Sequence, residues 1–240
     1  MSGILANVLP NEERFSATEA LHVEVIADLA CPFCFLGKRR LDTALKAVQG
    51  PIEISWYPWQ LNPELPKEGE AYTDFLTKRF GSVDNIQPIL DGLVDEGAKQ
   101  GIDFRFDKLE RVPNTMMAHQ LMYQAEVEGK DQSALADRLM SAFFEHGKDI
   151  GDMDVLVGIA REFGIAEVDA TLALFDDASK QVVQHRESQV RASGIAGVPG
   201  FLLNRRLLVV GAQEPDALVN AFDRAMFGEG TEQILSPALH

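Results

Sequence analysis

A chain of 240 residues that is 46% hydrophobic and 25% charged can bury a sizeable core and needs no disulfide staples to fold. Its length exceeds one typical small domain, so one large domain or a core carrying an insertion is expected. A formal net charge of −15, from 22 basic against 37 acidic residues, argues against partners such as the nucleic-acid backbone or an anionic membrane.

Residues 1–20 read as a polar N-terminal extension. The stretch Met1 to Pro10 has no basic n-region, its apolar run is broken by Asn7, and Pro10-Asn11-Glu12-Glu13 ends it, so it does not read as a signal peptide. No stretch reaches the ~18 apolar residues a membrane span needs. The expected compartment is the cytoplasm, where a cysteine pair is catalytic, redox-sensing or metal-binding before it is a permanent staple.

From His22 to Ala27 the β-branched residues Val23, Val25 and Ile26 predict a short buried strand. Cys31-Pro32-Phe33-Cys34 follows, and after it Leu36, Leu41, Leu45 and Val48 recur at helical spacing until Gly50-Pro51. Ile52 to Tyr57 alternates as a second strand, so the first sixty residues predict a right-handed βαβ unit with parallel strands. From about residue 70 to 192 the pattern is nearly all helical, with Gly81, Gly101, Gly129, Gly147 and Gly164 as punctuation. Ser82, Asn114, Asp131, Asp152 and Asp169 are candidate caps, and Pro88 a candidate kink. Ile102 to Phe106 reads as an extended connector or a small strand. Phe201-Leu202-Leu203 and Leu207 to Val210, separated by Asn204-Arg205-Arg206, predict a hairpin, and Pro215 to Phe227 a closing amphipathic helix with Leu218, Val219, Phe222, Ala225 and Met226 inward. The order βαβ, helical block, ββα describes an α/β fold, a four-stranded mixed sheet interrupted by a helical insertion. The expected division is 1–20 extension, 21–62 with 194–228 sheet domain, 63–193 helical insertion and 229–240 a weakly ordered C-terminal tail.

Cys31 and Cys34 are the only cysteines, and they sit where a strand hands over to a helix. Two thiols three positions apart can open and close a disulfide with little backbone movement. Only a thiolate attacks, and a free cysteine has a pKa of about 8.5. At a helix N-terminus Cys31 would face unpaired N–H groups and the positive end of the dipole, which favour S⁻. Pro32 suits the first helical position, and Cys34, one turn inside and less exposed, could resolve a mixed disulfide. Lys38, Arg39 and Arg40 lie too far into the helix to contribute much. Half of a zinc site is a rival reading, but structural zinc usually takes four ligands, often from two such pairs. There is no second pair, and His22, His119, His146, His185 and His240 are scattered, so no metal is expected. Two inert buried cysteines would leave the proline and the helix start unexplained. Gly197-Val198-Pro199-Gly200-Phe201 is the expected second half of the site, because a proline directly before an apolar strand suggests a fixed, cis-capable bond as well as a plain edge-strand turn.

These residues resemble the thioredoxin superfamily in its DsbA-like branch, and more closely the FrnE-type group. The match is carried by Cys31-Pro32-Phe33-Cys34, Gln60-Leu61-Asn62-Pro63, Pro113-Asn114-Thr115 with Ala118-His119, Gly197 to Phe201 and Gly211-Ala212-Gln213. The resemblance implies a thioredoxin fold with a large all-helical insertion, Cys31 as nucleophile, Cys34 as resolving thiol, and a cis Pro199 beside them. It also implies that the Val198 backbone pairs with an extended substrate. Phe33 departs from the tryptophan or histidine often found between the cysteines of relatives, and intervening residues tune thiolate stability. Kappa-class glutathione transferases and hydroxychromene-carboxylate isomerases are similar, but use a lone serine or the like with glutathione; two cysteines here favour dithiol exchange.

The expected function is therefore thiol–disulfide exchange on proteins or small thiols. Candidate catalytic residues are Cys31, Cys34 and Pro199, and candidate substrate-binding residues Val198, Pro32, Phe33 and His119. His119 reads either as an acid–base group facing the site or as a helix histidine satisfied in packing. Asp28 reads either as a proton acceptor for Cys34 or as a strand-end cap, and Trp56, Tyr57 and Trp59 as core and groove-wall aromatics. No cofactor is expected, with glutathione a candidate redox partner, and the chain is expected to be a monomer or a homodimer through apolar helices of the insertion. The alternatives are a glutathione-dependent transferase or isomerase, and a redox-regulated binding or holdase module.

Overall fold

The computed structural model describes residues 20–228 and 233–235; nearly all of the expected N-terminal extension and most of the expected tail lie outside them. The chain opens with β1 (Leu21–Ala27), α1 (Pro32–Leu45) and β2 (Ile52–Pro58), with β1 and β2 parallel in a register from Leu21↔Ile52 to Ala27↔Pro58. Parallel neighbours need a crossover, and α1 supplies it. The helix starts on Pro32, whose missing N–H is no loss at that position. It ends at Leu45, one turn before Gly50, so Val48 lies beyond it.

The chain then leaves the sheet. The excursion runs through β3 (Glu70–Ala71), α2 (Tyr72–Phe80), α3 (Val83–Lys99), a 3-10 turn at Phe106–Lys108, β4 (Arg111–Val112), α4 (Met116–Val127), α5 (Gln132–Phe144), α6 (Met153–Glu162), α7 (Glu167–Phe175) and α8 (Asp177–Ala192). It is helical as the periodicity predicts, except for β3 and β4, which pair as a two-residue antiparallel ribbon. Residues 102–105 form the extended connector. Asp131 and Asp152 cap α5 and α6 through the amides of Ala134 and Val155. Asp169 does not cap; it lies inside α7, and Asp176 instead caps α8 by accepting from Ala178 and Ser179. Pro88 sits inside α3 without ending it, the loss of a single backbone bond being absorbed in a helix of 17 residues.

The chain returns as β5 (Gly200–Leu203) and β6 (Leu207–Val210), closes with α9 (Pro215–Phe227), and adds β7 (Gln233–Leu235). Asn204 and Arg205 take φ of 47° and 52°, the left-handed backbone of a tight hairpin turn. Among the described residues the main sheet has five strands in the order β2-β1-β5-β6-β7, one more than expected. The extra strand, β7, pairs parallel to β6 from Leu207↔Gln233, in a segment read as tail. Three residues are too few for alternation to be read; only the open edge of β6 selects them.

β1 is an interior strand, between β2 and β5, and the sheet is covered on both faces. Leu21, Val23, Val25 and Ala27 join the main core with α1, the insertion and α9, while Ile26, Leu202 and Leu208 meet Trp59, Val190 and Ile195 on the other side. That explains why the C-terminal half of β1, Val25-Ile26-Ala27, is apolar on successive residues where a one-sided sheet would alternate. α1 is locked to the insertion by Phe35, fully buried, with ring centroids 5.9 Å from Phe104 and 6.1 Å from Phe144. Arg40 ties three helices: it pairs with Glu96 of α3 at 2.5 Å and Glu214 before α9 at 2.6 Å, and donates to the Ala212 carbonyl at 2.6 Å. Lys38 and Arg39 are likewise engaged, both with Asp137 of α5, so none of the three faces the cysteines as a free cation.

Candidate active site

Cys31 is the N-cap of α1. Its Sγ accepts from the Cys34 amide at 3.3 Å, the position a serine or aspartate oxygen takes in an ordinary cap. Both residues are free thiols, and both are buried, 3% and 1% exposed, so Cys31 is hardly the more accessible of the two. Pro32 is half-buried and Phe33, 45% exposed, stands over the helix entry. Burial, then the hydrogen bond and charge of Cys31, push the Cys34 thiol well above the ordinary thiol range, and the charge of Asp28 adds to this.

Asp28 is buried at the end of β1. Its carboxylate accepts from Leu61 N at 2.7 Å and Ala30 N at 3.2 Å and bonds the Thr115 side chain, so one group joins the strand end, the loop after β2 and the start of α4. Burial raises its pKa, against the pull of those donors. Asp28 is thus both a structural tie and an acid next to Cys34. His119 is not in the groove beside Cys31: it is buried in α4, with Nε2 3.8 Å from Asp28 Oδ1, too far for a hydrogen bond, and without a partner, while the ring bonds the Trp59 backbone. The packing reading of this histidine therefore prevails over substrate contact.

Burial lowers the His119 pKa to about 4, so the ring is neutral at pH 7 and its approach to Asp28 is a contact, not an ion pair. The folded pKa lies below the unfolded one, so the stability tied to the neutral ring is complete above pH about 6.5 and is lost as pH falls toward about 4. The difference corresponds to about 3 kcal/mol. Urea denaturation across that window should show the wild type losing about this much more than His119→Gln; parallel curves would refute the assignment.

Pro199 is brought to the cysteine end of the sheet by strand pairing. β1 and β5 are antiparallel and their register ends at Ile26↔Gly200, so Val198 and Pro199 directly precede β5 at the strand end from which Cys31 follows. The Val198–Pro199 peptide bond is cis. The Pro199 carbonyl accepts from Gly211 N at 2.7 Å, and its ring lies on α1 at Gly37, where a methyl group would come within 2.8 Å of Pro199 Cγ and 3.3 Å of Phe201 Cζ. Gly37 is a site residue that sequence reading missed, since a glycine inside a helix carries no signal of what packs on it. Gly37→Ala adds roughly 1 kcal/mol of helix propensity but overpacks a junction at a cost of about 1–3 kcal/mol. The expected outcome is a net loss of stability of about 1 kcal/mol, read by thermal melting, with thiol-exchange activity falling more than stability does. Full activity in the Gly37→Ala protein would show that this contact does not position Pro199.

A groove of about 300 Å³ opens at Cys31 between the entry of α1, Leu61-Asn62, and the α2–α3 hairpin. A larger cleft of about 670 Å³ lies on the other side of the loop after β2 and contains neither cysteine. The loop is clamped from α8: Glu187 accepts from Gln60 N at 2.7 Å, Arg191 donates to the Gln60 carbonyl at 2.5 Å, and the Arg191 guanidinium lies 4.1 Å from the Trp59 ring centroid. No local pattern could have linked Gln60 to residues so distant in sequence.

The model of the DSBA-like thioredoxin domain matches residues 22–223, and the chain belongs to that family, which is the fold found here. Among individual relatives, YwbO of Bacillus subtilis (strain 168), an uncharacterized protein, is 27% identical over 187 residues, 76% of this chain and 86% of its own. The crystal structure of a probable DsbA oxidoreductase, SCO1869 from Streptomyces coelicolor, is similar with a TM-score of 0.80 at 27% identity, covering 90% of this chain and 94% of that one. The cytosolic disulfide reductase DsbM from Pseudomonas aeruginosa, solved with GSH, shares the fold with a TM-score of 0.55 at 18% identity, over 85% and 95% of the two chains. Among the described residues no helix is long and apolar enough to cross a membrane.

Proposed function

We propose that the protein is a thiol–disulfide oxidoreductase of the FrnE-type group, acting in the cytoplasm on protein or small-thiol substrates through a mixed disulfide on Cys31. The observation that carries this reading is the Cys31 sulfur at the cap of α1, in the wall of a groove, with the Cys34 amide donating to it. In the reductive direction the Cys31 thiolate attacks one sulfur of a substrate disulfide. The substrate S–S bond breaks, a Cys31–substrate disulfide forms, and the leaving thiolate takes up a proton. Cys34 then gives its proton to Asp28 or solvent and attacks Cys31 Sγ, forming the Cys31–Cys34 disulfide and releasing the second substrate thiol. Two electrons and two protons pass to substrate; oxidation of a dithiol is the same path reversed.

The high pKa of Cys34 suits this order, since it remains a thiol until the mixed disulfide has formed. On this reading the Val198 backbone, next to the cis Pro199, pairs with an extended substrate, and Pro32 and Phe33 in the groove wall contact it. No bound cofactor takes part, and glutathione enters only as a candidate electron donor or acceptor. The decisive assay is reduction of insulin by dithiothreitol, or oxidation of a reduced protein, with and without Cys31→Ser. Loss of the acceleration supports the reading, and an unchanged rate overturns it.

A further inference from the structure

The cleft of about 670 Å³ on the far side of the loop after β2 carries chemistry that thiol exchange leaves unused. Gln60 and Gln120 line it and are only 3% and 2% exposed. Their amide nitrogens are engaged: Gln60 Nε2 donates to Asn114 Oδ1 at 3.3 Å, and Gln120 Nε2 to the Ala173 carbonyl at 3.0 Å and Ser179 Oγ at 2.8 Å. Both side-chain carbonyl oxygens accept nothing among the described residues. Polar groups of side chains this buried are normally paired, so two open acceptors in one cleft ask for donors from outside the chain. Lys67 and Lys180, exposed in the same lining, make no ion pair among the described residues; Lys67 lies instead 5.3 Å from the Phe175 ring centroid. Of the carboxylates there, Asp176 caps α8 and Glu187 holds Gln60 N and Arg191, so Asp177 alone offsets the two lysines. Phe175, 61% exposed, and Met116 and Met117 add an apolar, polarisable surface.

We infer that this cleft is an effector site for a nucleoside phosphate, separate from the thiol groove and joined to it by the Gln60-Leu61-Asn62 loop. The phosphate takes Lys67 and Lys180, the base lies on Phe175 and the methionines, and base N–H groups donate to Gln60 and Gln120. Guanine suits the two carbonyls best, because it offers a ring N–H and an exocyclic amino group on one edge. A cleft of about 670 Å³ is within the range that small-molecule ligands fill. The loop is the shared wall: Gln60, Pro63 and Lys67 line the cleft, while Leu61 and Asn62 line the cysteine groove. Leu61 N also donates to Asp28 at 2.7 Å. Cys31 is 3% exposed, so a reagent reaches it only when its surroundings open, that loop among them. A ligand anchoring the loop from the far side makes the opening rarer.

The test is calorimetric titration of the full reduced chain with GMP, ribose 5-phosphate and glutathione. GMP should bind saturably, with the other two about tenfold or more weaker, since neither brings a base to Phe175. In Lys180→Glu and, separately, Phe175→Ala, both exposed positions, GMP affinity should fall about tenfold or more. Arg79→Glu, in the cysteine groove, should bind GMP as the wild type does. Melting midpoints taken without ligand show that each variant is folded. Saturating GMP should slow alkylation of Cys31 by iodoacetamide about fivefold, located by peptide mass, with half the effect at the titration midpoint. Absence of saturable GMP binding, equal binding of ribose 5-phosphate or glutathione, or loss of binding in Arg79→Glu but not in the cleft variants overturns the site. Binding with an unchanged alkylation rate overturns the effector role. Either result leaves the exchange reading standing.

Discussion

Cys34→Ser is expected to halt the protein at the mixed disulfide: a covalent adduct on Cys31 accumulates to stoichiometry, and multiple turnover falls on the order of 10³-fold or more. The reason is that Cys34 lies one turn from Cys31, its amide 3.3 Å from the Cys31 sulfur, so resolution is intramolecular and needs no second encounter. Without it, resolution waits for an external thiol. Cys31→Ser is expected to give the same loss of turnover but no adduct, because the remaining thiol is buried and held protonated. Non-reducing electrophoresis and intact mass spectrometry after incubation with a substrate disulfide separate the two. An adduct on Cys34 in the Cys31→Ser protein, or sustained turnover by both variants, would reverse the assigned roles.

Phe35→Ala is expected to give the largest loss of stability near the site. Phe35 follows Cys34 directly, is fully buried, and packs against Phe104 and Phe144, which belong to the insertion. Removing its ring opens a cavity where α1 meets the helical block, at a cost of about 3–5 kcal/mol. For a chain of this size each kcal/mol corresponds to roughly 2–4 °C, so the melting midpoint should fall by about 10 °C. Phe33→Ala, two positions away but half in water, should leave the midpoint within a few degrees. Calorimetry of the two variants checks this; equal shifts would mean that the insertion does not rest on α1 through Phe35.

The two phenylalanines also show where sequence reading stops. Both flank Cys34, and helical periodicity alone does not say that one anchors a domain junction while the other stands over a groove. That distinction comes from Phe104 and Phe144, brought to α1 by the insertion. His119 is a similar case: its place among residues that resemble a site segment suggests a substrate contact, yet the fold turns it toward Asp28 and the Trp59 backbone.

What the sequence determined by itself was local. Cys31 at a cap with Pro32 after it, the βαβ unit, the hairpin around Asn204-Arg205-Arg206, the Pro215–Phe227 helix and the glycine-punctuated helical block all depend on spacing, caps and turn residues within a few positions. What only the tertiary structure decided depends on pairs far apart in the chain: Gly37 against Pro199, Glu187 and Arg191 on Gln60, Asp28 on Leu61 and Thr115, β7 on the edge of β6, and an apolar groove assembled from the α1 entry and the α2–α3 hairpin. Periodicity records which residues avoid water; only the packing of the whole chain selects which of them meet.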